Sequence, residues 1–174
     1  MISRRSFLKA IAAATTFYPS GKVFASTIRE RRISLYNIHT DECLDITYFS
    51  GGRYFFDALD KINHLMRCHY NNTVKTMDIG VLDLLCDIKD RLGVDREIQV
   101  ISGYRSPEYN DYLRSVGRHV AKNSFHMQGV AIDFSIQGFS MSSLSRTAKS
   151  FLAGGVGRYP EFVHIDTGPV RYWE

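Results

Sequence analysis

No apolar run in this chain is long enough to cross a membrane. The stretch from Ala10 to Ala14 falls far short of the roughly 20 residues that a spanning helix needs, which excludes a stable membrane span. Cysteine is scarce. Its three copies, Cys43, Cys68 and Cys86, are odd in number and match no metal-binding spacing. Internal repeats and low-complexity runs are absent after the first 25 residues, and 174 residues suit one domain rather than two. A charge excess is missing as well. Arg4, Arg5, Lys9 and Lys22 are four of the 22 basic residues, and none of the 18 acidic ones falls in residues 1–25. The remainder therefore carries 18 of each sign, and the basic patch that nucleic-acid binding requires has no support.

What is present begins with a leader. Arg4, Arg5 and Lys9 precede the short apolar run, and Val23-Phe24-Ala25 gives a small-residue cleavage pattern, so residues 1–25 read as a secretory signal peptide and residues 26–174 as the folded domain. Ser3-Arg4-Arg5 followed by Phe7-Leu8-Lys9 resembles the twin-arginine export signal, which implies the twin-arginine export machinery as a partner and a periplasmic or cell-envelope location. No cysteine lies near the cleavage site to take a lipid anchor. A protein exported by that route folds first in a reducing compartment, so disulfides are unnecessary for folding. Cys86 is expected in the core, and a Cys68–Cys86 bridge formed after export stays open as an alternative.

Hydrophobic periodicity gives a mixed order of elements. Arg32–Asn37 and Leu44–Phe49 read as strands, and Asp57–Cys68 as a helix with Leu59, Ile62, Leu65 and Met66 on one stripe. Asp78 caps a second helix that runs to Leu92 and is closed by Gly93. Glu97–Ile101 is β-rich, and Ser106-Pro107 opens a third helix. Val130–Ile136 alternates as a half-buried strand, Ser140–Leu152 is a fourth helix, and Glu161–Asp166 is a last strand. Regular βαβ alternation is missing, so the fold class is α+β in a single domain.

Polar residues interrupt these elements in a telling way. His126 stands just before the strand that carries Asp133, and His164 and Asp166 share one face of the last strand. Two imidazoles and a carboxylate form a three-ligand zinc set that leaves a fourth position for a water nucleophile. Gly129 lets the chain bend between His126 and Asp133. His39, His64 and His69 have no comparable surroundings and read as structural, whereas His119, beside Arg118, could approach the cleft.

The wording of the sequence goes further. Ile101-Ser102-Gly103-Tyr104-Arg105-Ser106, then Ser124-x-His126-x-x-Gly129-x-Ala131-x-Asp133, then His164-x-Asp166 resembles the zinc D,D-peptidase superfamily that includes hedgehog-like domains. Gly154-Gly155-Val156-Gly157, Tyr159-Pro160 and the run from Phe162 to Pro169 with Arg171 and Trp173 narrow the resemblance to exported murein endopeptidases of the peptidase M15 type. It covers the chain from about Ile33 to its end.

The resemblance implies a hedgehog/D,D-peptidase-like fold, with a small antiparallel sheet and packed helices. It implies one Zn2+ per chain, held by His126, Asp133 and His164, and peptidoglycan as the substrate. Arg105 would face the metal and hold a carbonyl or carboxylate, with Tyr104 and Ser124 as further substrate-side residues. Two carboxylates compete for the role of proton carrier. Glu161 lies three residues before His164, and Asp166 shares the His164 face. The segment between Pro160 and Phe162 is one residue, shorter than in relatives, and Cys68 replaces an acidic residue. The implied activity is hydrolysis of amide bonds in stem peptides, including cross-links. The competing reading is a zinc-containing module that binds wall peptides or a partner and cleaves nothing.

Overall fold

The computed structural model describes residues 29–174 apart from Val94 and His119, so the leader and His119 lie outside the described residues. Two strands open the domain, β1 (Arg31–Asn37) and β2 (Glu42–Ser50), followed by the two-residue β3 (Arg53–Tyr54). Helix α1 (Phe56–Leu65) is shorter than its periodicity predicts. Beyond Leu65 the chain turns, and the Cys68 N–H donates to the Thr73 carbonyl at 3.0 Å, which closes a loop instead of extending the helix. Helix α2 (Ile79–Arg91) starts where expected, with the Asp78 carboxylate accepting from the Val81 N–H.

The remaining elements are β4 (Ile98–Ser102), α3 (Pro107–Ser115), β5 (Ala131–Ile136), α4 (Met141–Lys149), β6 (Gly155–Arg158), β7 (Val163–Asp166) and β8 (Arg171–Trp173). Ser106 and Ser140 cap α3 and α4 through their hydroxyls, and Pro107 occupies the first turn of α3. The expected α+β class holds in one domain. The sheet is larger than predicted. Eight strands run in the order β3-β2-β1-β4-β5-β7-β6-β8, antiparallel except for the β1–β4 and β6–β8 pairs.

Strand β5 is central, and this corrects the half-buried expectation: every one of its residues is buried. Its Ile132 and Phe134, with Val163 and Ile165 of β7, join Leu82, Leu85 and Ile88 of α2 and Leu144 and Ala148 of α4 in one apolar core. The alternation across a strand then sends Asp133, His164 and Asp166 to the other face of the sheet. Cys68 and Cys86 are buried and all three cysteines are free, so the Cys68–Cys86 bridge is not formed. No helix among the described residues is long and apolar enough to cross a membrane.

A stack of rings ties the loop after α1 to α3. His39 lies on His69, with ring centroids 3.9 Å apart, and His69 meets the edge of Tyr109 at 4.8 Å while its Nε2 pairs with the Tyr109 hydroxyl at 3.1 Å. Burial, then the neighbouring His39 and Arg105 charges, push the His69 imidazole down to about 4. The folded value lies below the unfolded one of about 6.5, so the unfolded chain binds more protons between those pH values. Stability from this site is present above pH 6.5 and is lost as pH falls towards 4. Urea unfolding at successive pH values will show this decline in the wild type, and His69→Phe, which keeps a stacked ring, will flatten it. An unchanged slope would remove His69 as its source.

Candidate metal centre

Strand register brings the first two site residues together. Asp133 of β5 and His164 of β7 are direct partners in the antiparallel ladder, 31 residues apart in sequence and 2.7 Å apart between Oδ1 and Nδ1. His126 arrives on a short 3-10 helix, Phe125–Gln128. The Ser124 hydroxyl caps that helix by accepting the His126 N–H, and Gly129 ends it in the left-handed region at φ +76°. A Cβ at Gly129 would stand 2.7 Å from the Thr76 carbonyl oxygen. The turn is therefore pressed against the segment that leads into α2.

Three ligand atoms converge as a result. His126 Nε2 lies 3.2 Å from His164 Nδ1 and 3.3 Å from Asp133 Oδ1. In a tetrahedral zinc site with bonds of about 2.0–2.2 Å, neighbouring ligand atoms stand about 3.3 Å apart. The donor set and its spacing therefore fit such an ion. These are the residues among those described that gather as a possible metal group.

The far nitrogen of each ring is also engaged. His126 Nδ1 is 2.8 Å from the Gly103 carbonyl, and His164 Nε2 is 3.0 Å from Asp166 Oδ2. Each ring thus donates its far N–H and turns the other nitrogen to the common centre, which fixes both tautomers.

Charge reinforces this arrangement. Burial alone would raise the Asp133 carboxyl, but the His126 and His164 imidazoles hold it well below the usual carboxylate range. Burial would lower His164, yet Asp133 and Asp166 push it up to about 9. A cation at the common centre would compete with a proton for Nδ1 of His164.

Asp166 is fully engaged. It has no exposure to solvent, and it accepts from His164, from the N–H groups of Gly155 and Gly168, and from both ends of the Arg171 guanidinium at 3.0 and 2.7 Å. Burial would raise its carboxyl, and these donors hold it well below the usual range. Arg171 itself lies between the Phe125 and Trp173 rings, 5.0 and 5.1 Å from their centroids.

The three ligand side chains face an open cleft of about 550 Å³, whose walls include Arg105, Arg118, Ser124, Phe162, Arg171 and Trp173. Arg105 is 8 % exposed. Its Nη2 lies 3.8 Å from Asp133 Oδ2, and its buried Nε has no hydrogen-bond partner. A buried guanidinium N–H left unsatisfied calls for an acceptor.

The other expected residues fall elsewhere. Tyr104 packs against the apolar core, donates its N–H to the Met66 carbonyl and is not in the cleft wall. Glu161 is exposed in a tight turn closed by the Tyr159 N–H and the Phe162 carbonyl, and it too is outside that wall. The strand expected from Glu161 begins only at Val163, so strand parity does not govern Glu161. Arg171, Trp173 and the Gly103 carbonyl take roles that the sequence does not announce. β8 has three residues, too few to show a period, and a backbone carbonyl leaves no mark in a sequence.

The family described as peptidoglycan L,D-endopeptidase MepK matches residues 25–173. Among curated proteins, the peptidoglycan L,D-endopeptidase MepK of Escherichia coli (strain K12) is 45 % identical over 150 residues, covering 85 % of this chain and 82 % of its own. The protein of the same name from Shigella flexneri matches to the same extent. A probable peptidoglycan L,D-endopeptidase MepK of Haemophilus influenzae is 40 % identical over 172 residues, 96 % of this chain and 92 % of its own. No solved structure matches the chain.

The Gly129 turn gives the centre a direct test. Gly129→Ala will cost about 1–3 kcal/mol in urea unfolding from its left-handed backbone, with the clash against Thr76 added. Gly117→Ala has the same sign of φ with nothing within 4 Å, and it will cost only the backbone share. Equal losses would show that the contact with Thr76 does not fix the turn.

Proposed function

The chain belongs to the peptidoglycan L,D-endopeptidase MepK family, and we propose that it is a zinc metallopeptidase that hydrolyses amide bonds in peptidoglycan stem peptides, cross-links included. The observation that carries this reading is the meeting of His126 Nε2, Asp133 Oδ1 and His164 Nδ1 under an open cleft, beside the unpartnered Nε of Arg105. One Zn2+ held by those atoms would supply Lewis acidity for the scissile carbonyl and a water nucleophile.

The chain's own groups do the rest. Arg105 offers its guanidinium to the carbonyl oxygen as charge builds there, or to a substrate carboxylate beside it. Ser124 keeps the 3-10 helix, and with it His126, in place. Asp166 is a positioning residue: every donor around it is already bonded, so it holds the His164 ring and has no lone pair to spare for a proton from water. Glu161 lies outside the cleft wall, but Tyr159 and Phe162 near it line the cleft, and no hydrogen bond or ion pair among the described residues engages its carboxylate, so it is the one we assign to take that proton once substrate is bound.

A periplasmic location and export by the twin-arginine route go with this activity, because the wall lies outside the inner membrane. The family match beginning at residue 25, where the leader read in the sequence ends, supports that placement. The non-catalytic module finds less support, since a binder has no need of a cleft open to the metal.

Digestion of purified cross-linked peptidoglycan by residues 26–174, with and without zinc, will test the proposal. Mass spectrometry of the products will show zinc-dependent conversion of dimers to monomers, and His126→Ala will abolish it. Asp166→Asn will weaken zinc binding about 10–100-fold in a chelator competition. Glu161→Gln will bind zinc normally and lose about 10²–10⁴ in kcat. If a folded, zinc-loaded protein binds peptidoglycan and releases nothing, the binding module takes the place of the enzyme.

A further inference from the structure

Tyr70 and Tyr112 are 52 % and 47 % exposed, and with Tyr109 they form a cluster that the cleft chemistry does not use. The ring planes of Tyr70 and Tyr109 lie 16° apart at 5.1 Å, those of Tyr70 and Tyr112 21° apart at 5.5 Å, and those of Tyr109 and Tyr112 17° apart at 6.3 Å. At these distances near-parallel rings overlap in offset stacks, so Tyr70 partly covers its neighbours and the surface left to solvent is that of Tyr70 and Tyr112, about half exposed each. Val116, 52 % exposed, continues the stripe one turn further along the helix line.

We propose that this cluster is a docking surface for the glycan strand of peptidoglycan, the sugar polymer from which the stem peptides hang. The proposal rests on the reading of the cleft as a stem-peptide site and adds a second contact with the same polymer.

Chemistry favours a sugar over a protein partner. An aromatic face is electron-rich, so it attracts the slightly positive C–H groups on the apolar side of a pyranose ring, while the tyrosine hydroxyls can bond the sugar hydroxyls around its edge. A protein partner would need about 800 Å² from each side, far more than three rings and a valine present. The cluster is also held rigid from behind. The Tyr109 hydroxyl is tied to His69, His69 lies on His39, and His39 Nε2 is 3.1 Å from the Ile101 carbonyl of β4. A platform fixed in this way loses little freedom when a ligand lands.

Position supplies the link to the cleft. Arg105 just before helix α3 and Gly117 and Arg118 just after it all stand in the cleft wall. Its buried Asn110 donates to the Ala121 and Lys122 carbonyls, which fastens the helix to the rim. A stem peptide in the cleft is covalently joined to its glycan, so contact at α3 becomes intramolecular and raises affinity for the polymer without touching the reacting bond.

The test compares the wild type with Tyr70→Ala/Tyr112→Ala and with Tyr112→Leu, each checked for fold by circular dichroism. Peptide-free glycan strands are one probe. Glycan-attached cross-linked muropeptides and sugar-free cross-linked tetrapeptide dimers are the kinetic substrates. The wild type will bind peptide-free strands, and the double variant will lose about tenfold or more of that affinity, a difference of about 1.4 kcal/mol. Its KM for the glycan-attached substrate will rise with kcat unchanged, and its constants for the sugar-free dimer will stay at wild-type values. Tyr112→Leu, apolar without an aromatic face, will also weaken glycan binding. Equal glycan binding by wild type and double variant, full binding by Tyr112→Leu, or an equal loss on both substrates would each overturn the platform. If the wild type cleaves neither substrate, it is the cleft reading that fails, and binding to peptide-free strands still reports on the platform by itself.

Discussion

Asp166 sits at the end of β7 with no access to solvent, and much of the site hangs on what it accepts. Its oxygens take the far N–H of His164, two backbone N–H groups from the chain on either side, and the fork of Arg171. A buried carboxylate without partners would be costly, and removing one partner of such a pair costs several kcal/mol. The demand for donors therefore fixes where Gly155, Gly168 and Arg171 must lie. That in turn pulls the three-residue β8 onto the edge of β6 and sets Trp173 beside the His164 ring, 5.3 Å away. One carboxylate thus closes the sheet edge and orients a candidate ligand together.

The other half of the centre is built by different means. His126 is held by its turn: the Ser124 hydroxyl on its N–H, the left-handed Gly129, and the Gly103 carbonyl under its far nitrogen. The Arg105 N–H donates to the His126 carbonyl, so the turn that supplies the arginine and the turn that supplies the histidine are bonded to each other. A rigid strand pair on one side and a cross-linked pair of turns on the other hold the three candidate ligand atoms near a common point. Preorganisation of this kind avoids reordering during reaction.

These two modes of construction explain what could be read from the sequence. The helix starts at Asp78, Ser106 and Ser140 were legible because capping leaves a local residue signature. Asp133 and His164 were legible because the alternation of β5 and β7 isolates polar residues among Ile132, Phe134, Val163 and Ile165, and His126 because it stands in the Ser124-x-His126-x-x-Gly129 motif just before that strand. The full burial of β5 was not, since it depends on the seven other strands of the sheet and on the site that covers its polar face. Arg171 and the Gly103 carbonyl were illegible for a related reason: their roles come from register between distant segments, which no window of sequence contains. The engagement of Asp166 was out of reach of the sequence as well, because its donors come from β6, β7, β8 and the loop between the last two.

Charge distribution completes the physical case. Residues 26–174 carry equal numbers of acidic and basic side chains, so no long-range field draws a polyanion to the domain as a whole. The cleft departs from that balance. Arg105, Arg118 and Arg171 line it, and Asp133 is the one carboxylate in its wall among the described residues. With Asp133 and Asp166 each committed to imidazoles, the free positive potential belongs to Arg105 and Arg118, on the side where α3 begins and ends. Under the proposed function, a substrate with carboxylates close to its scissile bond would be drawn into the cleft at short range, while a neutral sugar chain would meet no opposing field along the tyrosines. On that proposal local charge would select the peptide and aromatic surface the glycan, a division suited to a polymer whose two components differ in this way.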